Sequence, residues 1–136
     1  MRPVDQTIVT KGTGDCQRAV LASLFHLDID QVPNFRKYDN ETWFKVFWHF
    51  LLAIGWEYRG CTSKPTELLL EDSIDGYFSA SVKSKTFEGV THAVILDMTG
   101  TVVHDPNPNK LWQGINVLES GEINDLYIIL PERETK

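Results

Sequence analysis

Cys16 lies within Gly12-Thr13-Gly14-Asp15-Cys16-Gln17-Arg18-Ala19-Val20, a glycine-rich loop ending on a polar residue that can cap a helix. The thiol therefore stands at a helix start. Amide N–H groups in a first helical turn have no intrahelical acceptor, and the aligned peptide dipoles leave partial positive charge there, so thiolate is favoured over thiol. Such a cysteine can be a nucleophile. It can equally be a small apolar residue of the helix's buried stripe, because it falls one turn before Val20 on the edge that carries Ala19 and Leu24.

A nucleophilic thiol needs a base, and two β-rich runs offer one. His92-Ala93-Val94-Ile95-Leu96-Asp97 and Thr101-Val102-Val103-His104-Asp105 flank Met98-Thr99-Gly100, a hairpin signature. If residues 97–100 form a four-residue loop, Leu96 pairs with Thr101, His92 stands opposite Asp105 on one face, and His104 points to the other. A three-residue loop instead opposes Ala93 and Asp105, and the pair meets only if a bulge corrects the register. A carboxylate on one imidazole nitrogen fixes the tautomer and leaves the other nitrogen to take the thiol proton. Singly, His92 is a strand-end histidine and Asp105 a turn residue before Pro106; with Cys16 they form a nucleophile, base and orienting acid.

The elements that must position these residues follow from hydrophobic spacing. Residues 7–9 are β-prone, and a helix is predicted over 16–24. Residues 27–35 read as a helix stop and turn, with Asp28 a cap and Pro33 a terminator. A second helix has Asn40 as cap, Trp43, Phe47, Phe50, Leu51 and Ile54 on one apolar face, and Gly55 beyond its end. Its aromatic stripe is read as a packing face rather than a ligand box, and His49 as structural or exposed. Residues 56–59 read as a short strand, 64–71 as strand or helix, and 83–89 as a loop. Phe78, Ala80 and Val82 alternate on one face of a strand, and residues 126–130 form another before Pro131. Together these predict a single α+β domain over residues 1–136.

Composition narrows the function classes. With 136 residues, 42% of them apolar, the chain can bury one ordinary core. A net charge of -6, with Lys and Arg scattered, argues against a nucleic-acid partner. No apolar run approaches membrane-spanning length, the first residues lack a signal-peptide pattern, and two cysteines make no disulfide framework, so a cytoplasmic setting is expected. Cys16, His92, His104 and Asp105 are suitable atom types for zinc but lack paired ligand spacing, so no metal or cofactor is expected. Cys61 has no cap or acid–base neighbour and reads as a plain thiol.

Gly14-Asp15-Cys16 with Ala19, His92-Ala93-Val94-Ile95 and His104-Asp105-Pro106 resemble the papain-like cysteine peptidase fold, nearest to the C39-like branch and its small phage-encoded relatives. The resemblance runs from about Gln6 to Pro108. It implies Cys16 as nucleophile, His92 as general base and acid, and Asp105 as orienting residue. It also implies an oxyanion hole made by the Cys16 backbone N–H and an upstream glutamine side chain. The family spacing falls on Thr10, and the upstream glutamine here is Gln6. The chain is too short for a large second lobe, so a small or open cleft is expected, rimmed by residues 84–91, Asn107 and its neighbours, and Trp112, which could also be core.

Two functions follow from this reading. One is a thiol hydrolase, peptidase or amidase, forming a thioester on Cys16 from a peptide or amide substrate; another acceptor would make it an acyltransferase, deamidase or transglutaminase. The other is a papain-like binding module without turnover, such as a phage accessory protein occupying a host protein through surface aromatics like Trp112 or Tyr38.

Overall fold

The computed structural model describes residues 1–10, 14–39 and 41–132. Helix α1 (Cys16–Leu24) is followed by 3-10 turns at Ile29–Gln31 and Phe35–Lys37, helix α2 (Trp43–Ala53) and strand β1 (Trp56–Ser63). A 3-10 turn at Leu70–Asp72 leads to β2 (Phe78–Lys83), β3 (Thr91–Leu96) and β4 (Val102–His104); a short helix α3 (Val117–Ser120) and β5 (Ile123–Pro131) complete the chain. All strand pairs are antiparallel, in the order β1-β5-β2-β3-β4. The architecture is α+β, an N-terminal helix on a five-stranded antiparallel sheet.

Each sheet face has its own core. Ala93, Ile95 and Ile129 pack with Val20, Leu21 and Leu24 of α1 and Phe47 and Leu51 of α2. Phe78, Ala80, Val82, Val94 and Leu96 pack on the other face with Val102, Trp112, Val117, Ile123 and Leu126. The predicted alternation in β2 therefore holds. Its companions on the helix-facing side, Ser79 and Ser81, are small, buried and polar. Small side chains there leave volume between sheet and helices.

Several local expectations are corrected. Residues 7–9 join no ladder, and the chain bends at Thr7. Their hydrogen-bonding groups go to Asp15 instead, whose Oδ1 accepts from Thr7 N at 2.9 Å and Ile8 N at 2.9 Å and whose Oδ2 accepts from the Thr7 hydroxyl at 2.8 Å. Asp15 thus occupies the N-cap position without a side-chain bond to its own helix. The first-turn amides of α1 are not spent on that carboxylate. The Asn40 cap expected for α2 lies outside the described residues, and Thr42 occupies the position before Trp43. Strands β1 and β5 extend beyond the predicted cores at 56–59 and 126–130, because each finds its ladder partner in the other. Residues 64–71 form neither strand nor α-helix apart from the start of the turn at Leu70.

The hairpin register is the instructive correction. Residues 97–100 do form the turn, closed by Gly100 N donating to Asp97 O at 3.1 Å, yet Leu96 pairs with Val102 rather than Thr101. Ile95 then pairs with His104, which leaves Val103 as a bulged extra residue. Because strand side chains alternate with period two, one extra residue exchanges faces for everything after it. His104 lands beside Ile95 on the helix-facing side, where its Nε2 donates to Val4 O at 2.7 Å. Asp105 is thereby sent to the side shared by Val94 and His92.

The Asp15 carboxylate is 0% exposed and also lies 3.6 Å from Arg18 Nη1. Replacing it leaves two backbone donors and the Thr7 hydroxyl without their acceptor and removes one of the carboxylates facing Arg18. Asp15→Ala is expected to cost about 3 kcal/mol in urea unfolding, and Asp15→Asn less, since the amide oxygen still accepts from both N–H groups. A loss below about 1 kcal/mol for Asp15→Ala, as surface changes give, would remove Asp15 from this role.

Candidate active site

Three of the predicted site residues converge. Cys16, first residue of α1, is partly exposed and packs along the helix-side core. Its Sγ accepts from Ala93 N at 3.5 Å, which ties the sulfur to β3. The neighbouring His92 lines the same recesses as the thiol and is close enough to lower its titration. On its other side His92 Nε2 meets Asp105 Oδ1 at 2.6 Å. With Nε2 engaged by the carboxylate, Nδ1 is the ring nitrogen left for sulfur.

Asp105 is held from every side. Its Oδ1 also accepts from Asn107 N at 3.0 Å, and its Oδ2 accepts from Trp112 N at 3.0 Å. Gln113 fastens the backbone where β4 ends: its Oε1 accepts from Asp105 N at 2.8 Å and its Nε2 donates to Val103 O at 2.6 Å. The bulge and the residue it re-aims are thus clamped by one amide. Sequence reasoning missed Gln113, and no local pattern marks it, because its partners are backbone atoms eight and ten residues away.

Charge follows from this geometry. Burial pushes the Cys16 thiol up, but the hydrogen bond and charge of His92, the Ala93 N–H and the nearby Arg36 outweigh it, and the thiol titrates below its ordinary value. Burial likewise opposes a charged His92, yet its bonds to Asp105 and Cys16 and the negative charge on both raise it to about 9. Asp105 is pushed up by burial and pulled further down by His92 and the Trp112 and Asn107 amides, so it titrates below the usual carboxylate range. The arrangement favours a thiolate, an imidazolium and a carboxylate in a row.

The remaining predicted residues are placed as follows. Gln6 is 7% exposed and lines a small recess with Cys16, His92 and Asn107. Its backbone N donates to Pro106 O at 2.8 Å and its Nε2 donates to Ile8 O at 2.7 Å, leaving one amide hydrogen. Asn107 rims that recess, as expected. Trp112 lines a very small recess with His92, Asp105 and Asn107, but most of its side chain is core. It is 3% exposed in the core on the other sheet face, its indole donating to Lys83 O at 3.0 Å, because Asp105 draws its backbone inward. A Cβ on Gly14 would stand 3.2 Å from Ile8 O and 3.3 Å from Gln6 Nε2, a tight contact that presses on the segment carrying Gln6.

Beside Cys16, and adjoining that recess, opens a cleft of about 400 Å3, walled by Trp43, Phe44 and Phe47 of α2 with Tyr58 of β1 and Tyr127 of β5. The sequence reading assigned the α2 stripe to packing alone. Phe47 is indeed buried, whereas Trp43 and Phe44 are 37% and 38% exposed. No local pattern settles this, for adjacent Val20 and Leu21 of α1 are both buried in one core while adjacent Trp43 and Phe44 of α2 stay partly exposed. Among the described residues no cluster of three His, Cys, Asp or Glu side chains is arranged to hold a metal ion, and no helix is long and apolar enough to cross a membrane.

The pH response has two opposed parts. His92, raised above its unfolded value, contributes stability below about pH 6.5 that is lost as pH rises through about 9. Cys16, lowered, contributes above the ordinary thiol range and loses that contribution as pH falls through its folded value. Because the slopes oppose each other, ring titration is the cleaner observable. Followed by imidazole NMR, the His92 midpoint near 9 is expected to fall in Cys16→Ala and again in Asp105→Asn. A midpoint unmoved by both substitutions would dissolve the charge relation.

No protein-family model, curated protein or solved structure matches this chain.

Proposed function

We propose that this chain is a thiol hydrolase of papain-like type, a peptidase or amidase working through an acyl-enzyme on Cys16. The supporting observation is the chain of contacts from Cys16 to His92 to Asp105, ending in a 2.6 Å imidazole–carboxylate bond at the head of α1. The helix bearing the thiol, packed on an antiparallel sheet bearing histidine and acid, agrees with the resemblance to the C39-like branch. A phage-encoded relative would work on peptide or protein amides in its host's cytoplasm.

In this mechanism the Cys16 thiolate attacks the carbonyl carbon, forming the C–S bond as the carbonyl electrons move to oxygen. The oxyanion sits toward the Cys16 backbone N–H, unpaired within its helix, and the remaining amide hydrogen of Gln6. His92 gives its proton to the leaving nitrogen, the C–N bond breaks, and a thioester remains. His92 then takes a proton from water, which hydrolyses the thioester to the acid and restores the thiolate. Asp105 stays ionised, holding the imidazole in line.

The engagement of Gln6 Nε2 by Ile8 O favours the second reading, a module that keeps the fold and binds a protein partner without turnover. One experiment separates the two. Iodoacetamide alkylation of Cys16 is followed against pH by peptide mass spectrometry in the native chain and in His92→Ala, with exposed Cys61 as internal control. At pH 6 Cys16 is expected to react about tenfold faster than Cys61, the gain in thiolate exceeding the loss of intrinsic nucleophilicity that accompanies a lower pKa. His92→Ala should erase that advantage. A Cys16 that is inert, or matches Cys61 in both proteins, would end the catalytic reading and favour the binding module.

A further inference from the structure

The cleft beside Cys16 is chemically lopsided. In a chain of net charge -6, its lining includes Arg18 and Arg36 and no carboxylate. Arg18 is engaged, its Nε donating to Val32 O at 2.7 Å and its guanidinium facing Asp15. Arg36 is exposed at the mouth and close enough to Cys16 to favour the thiolate. Behind the mouth stand Trp43, Phe44, Phe47, Tyr58 and Tyr127, over the small Ser81 of β2. Edge-to-face contacts between Phe44 and Tyr58, centroids 5.5 Å apart, and between Phe47 and Tyr58, at 5.8 Å, fix these walls. The small recess with Gln6 adjoins the cleft at Cys16, the two sharing Gly14, Arg36, Thr91 and His92 as well.

A substrate carbonyl held at Cys16 with its oxygen toward Gln6 directs the rest of its acyl part into the aromatic cleft. About 400 Å3 exceeds what an acetyl group fills and accommodates a phenyl ring on a short tether. Aromatic walls attract both rings and cations, but the exposed Arg36 repels a cation, whereas the charge of Arg18 is answered by Asp15 and Asp30. We infer that the site selects acyl donors carrying an aromatic side chain and discriminates against cationic ones. This inference rests on the acyl-enzyme reading above, and its test reports on the two separately.

The probes are trifluoroethyl thioesters of acetate, 3-phenylpropanoate and 6-(trimethylammonio)hexanoate, whose small leaving group does not compete for the cleft. Cys16 sulfur displaces trifluoroethanethiolate, one C–S bond forming as another breaks, and intact-mass spectrometry reads the acylation rate. The phenylpropanoyl donor is expected to react at least about tenfold faster than acetyl, a fraction of what full burial of an aromatic side chain yields. The cationic donor should fall below phenylpropanoyl. Trp43→Ala should cut the phenylpropanoyl-to-acetyl ratio at least about threefold, while Leu70→Ala, exposed on the distant 3-10 turn, leaves it unchanged. In parallel, Cys16→Ala is titrated with N-methyl-3-phenylpropanamide while the Trp43 indole N–H is followed by NMR, with a shift expected. Acylation without preference and no indole shift would overturn the cleft assignment and leave the acyl-enzyme intact. A shift without acylation by any donor would overturn the acyl-enzyme and keep the cleft. Preference for the trimethylammonio donor would replace the assignment with a cation cage.

Discussion

The structure depends on a carboxylate that never meets solvent. Asp15 precedes Cys16, and its two oxygens gather the Thr7 and Ile8 backbone, the Thr7 hydroxyl and Arg18. Burying a charge is unfavourable unless donors surround it, so the N-terminal segment is drawn over the head of α1 to supply them. That same segment carries Gln6, whose backbone is bonded to Pro106, one residue past Asp105. Asp105 holds His92, and His92 returns to Cys16. The result is a closed ring of contacts in which the group that sets helix position and the group that sets acidity are linked through four backbone segments.

Within that ring the thiol and imidazole share one proton's worth of charge. Moving the proton from sulfur to nitrogen leaves the total bound unchanged, so the ion pair can form without altering the proton balance of folding. Asp105 is what makes the transfer favourable on the nitrogen side. The Ala93 N–H and the head of the helix do the corresponding work at sulfur.

Much of this was legible in the sequence, and the limits have physical causes. Cys16, His92 and Asp105 could be found because a helix start, a strand start and a strand end each leave local marks. The alternation in β2 and the length of α1 were legible for the same reason. The bulge at Val103 was not, since nothing in Thr101-Val102-Val103-His104 distinguishes a bulged residue from a regular one; only the need for an aligned pair hinted at a correction. Asp15 looked like a cap because local rules favour that use, but a buried carboxylate found better donors in residues 7 and 8. Trp112 was ambiguous between rim and core, and it is mostly core while touching a recess beside His92 and Asp105. The packing role of the α2 stripe was legible, for Phe47 and Leu51 are buried and Phe50 and Ile54 pack against them; the cleft at Trp43 and Phe44 was not, because periodicity reports which residues share a stripe and is silent on whether the facing surface fills the gap.

The Val103 bulge makes the site sensitive to counting. Between Leu96 and Asp105 the chain contains a turn, a single odd residue and a short strand, and the odd residue alone sends the acid to one face and His104 to the other. Inserting or deleting one residue within β4, between Val102 and Asp105, reverses the parity, bringing a buried histidine toward the imidazole and a carboxylate toward the Val4 carbonyl, even with the sheet intact. Two residues restore it. Descendants of this chain should therefore vary in length at the turn of residues 97–101, which absorbs added residues, and keep the count of β4 odd or even as it stands, a rule of arithmetic imposed by the pleat on how the molecule can diverge.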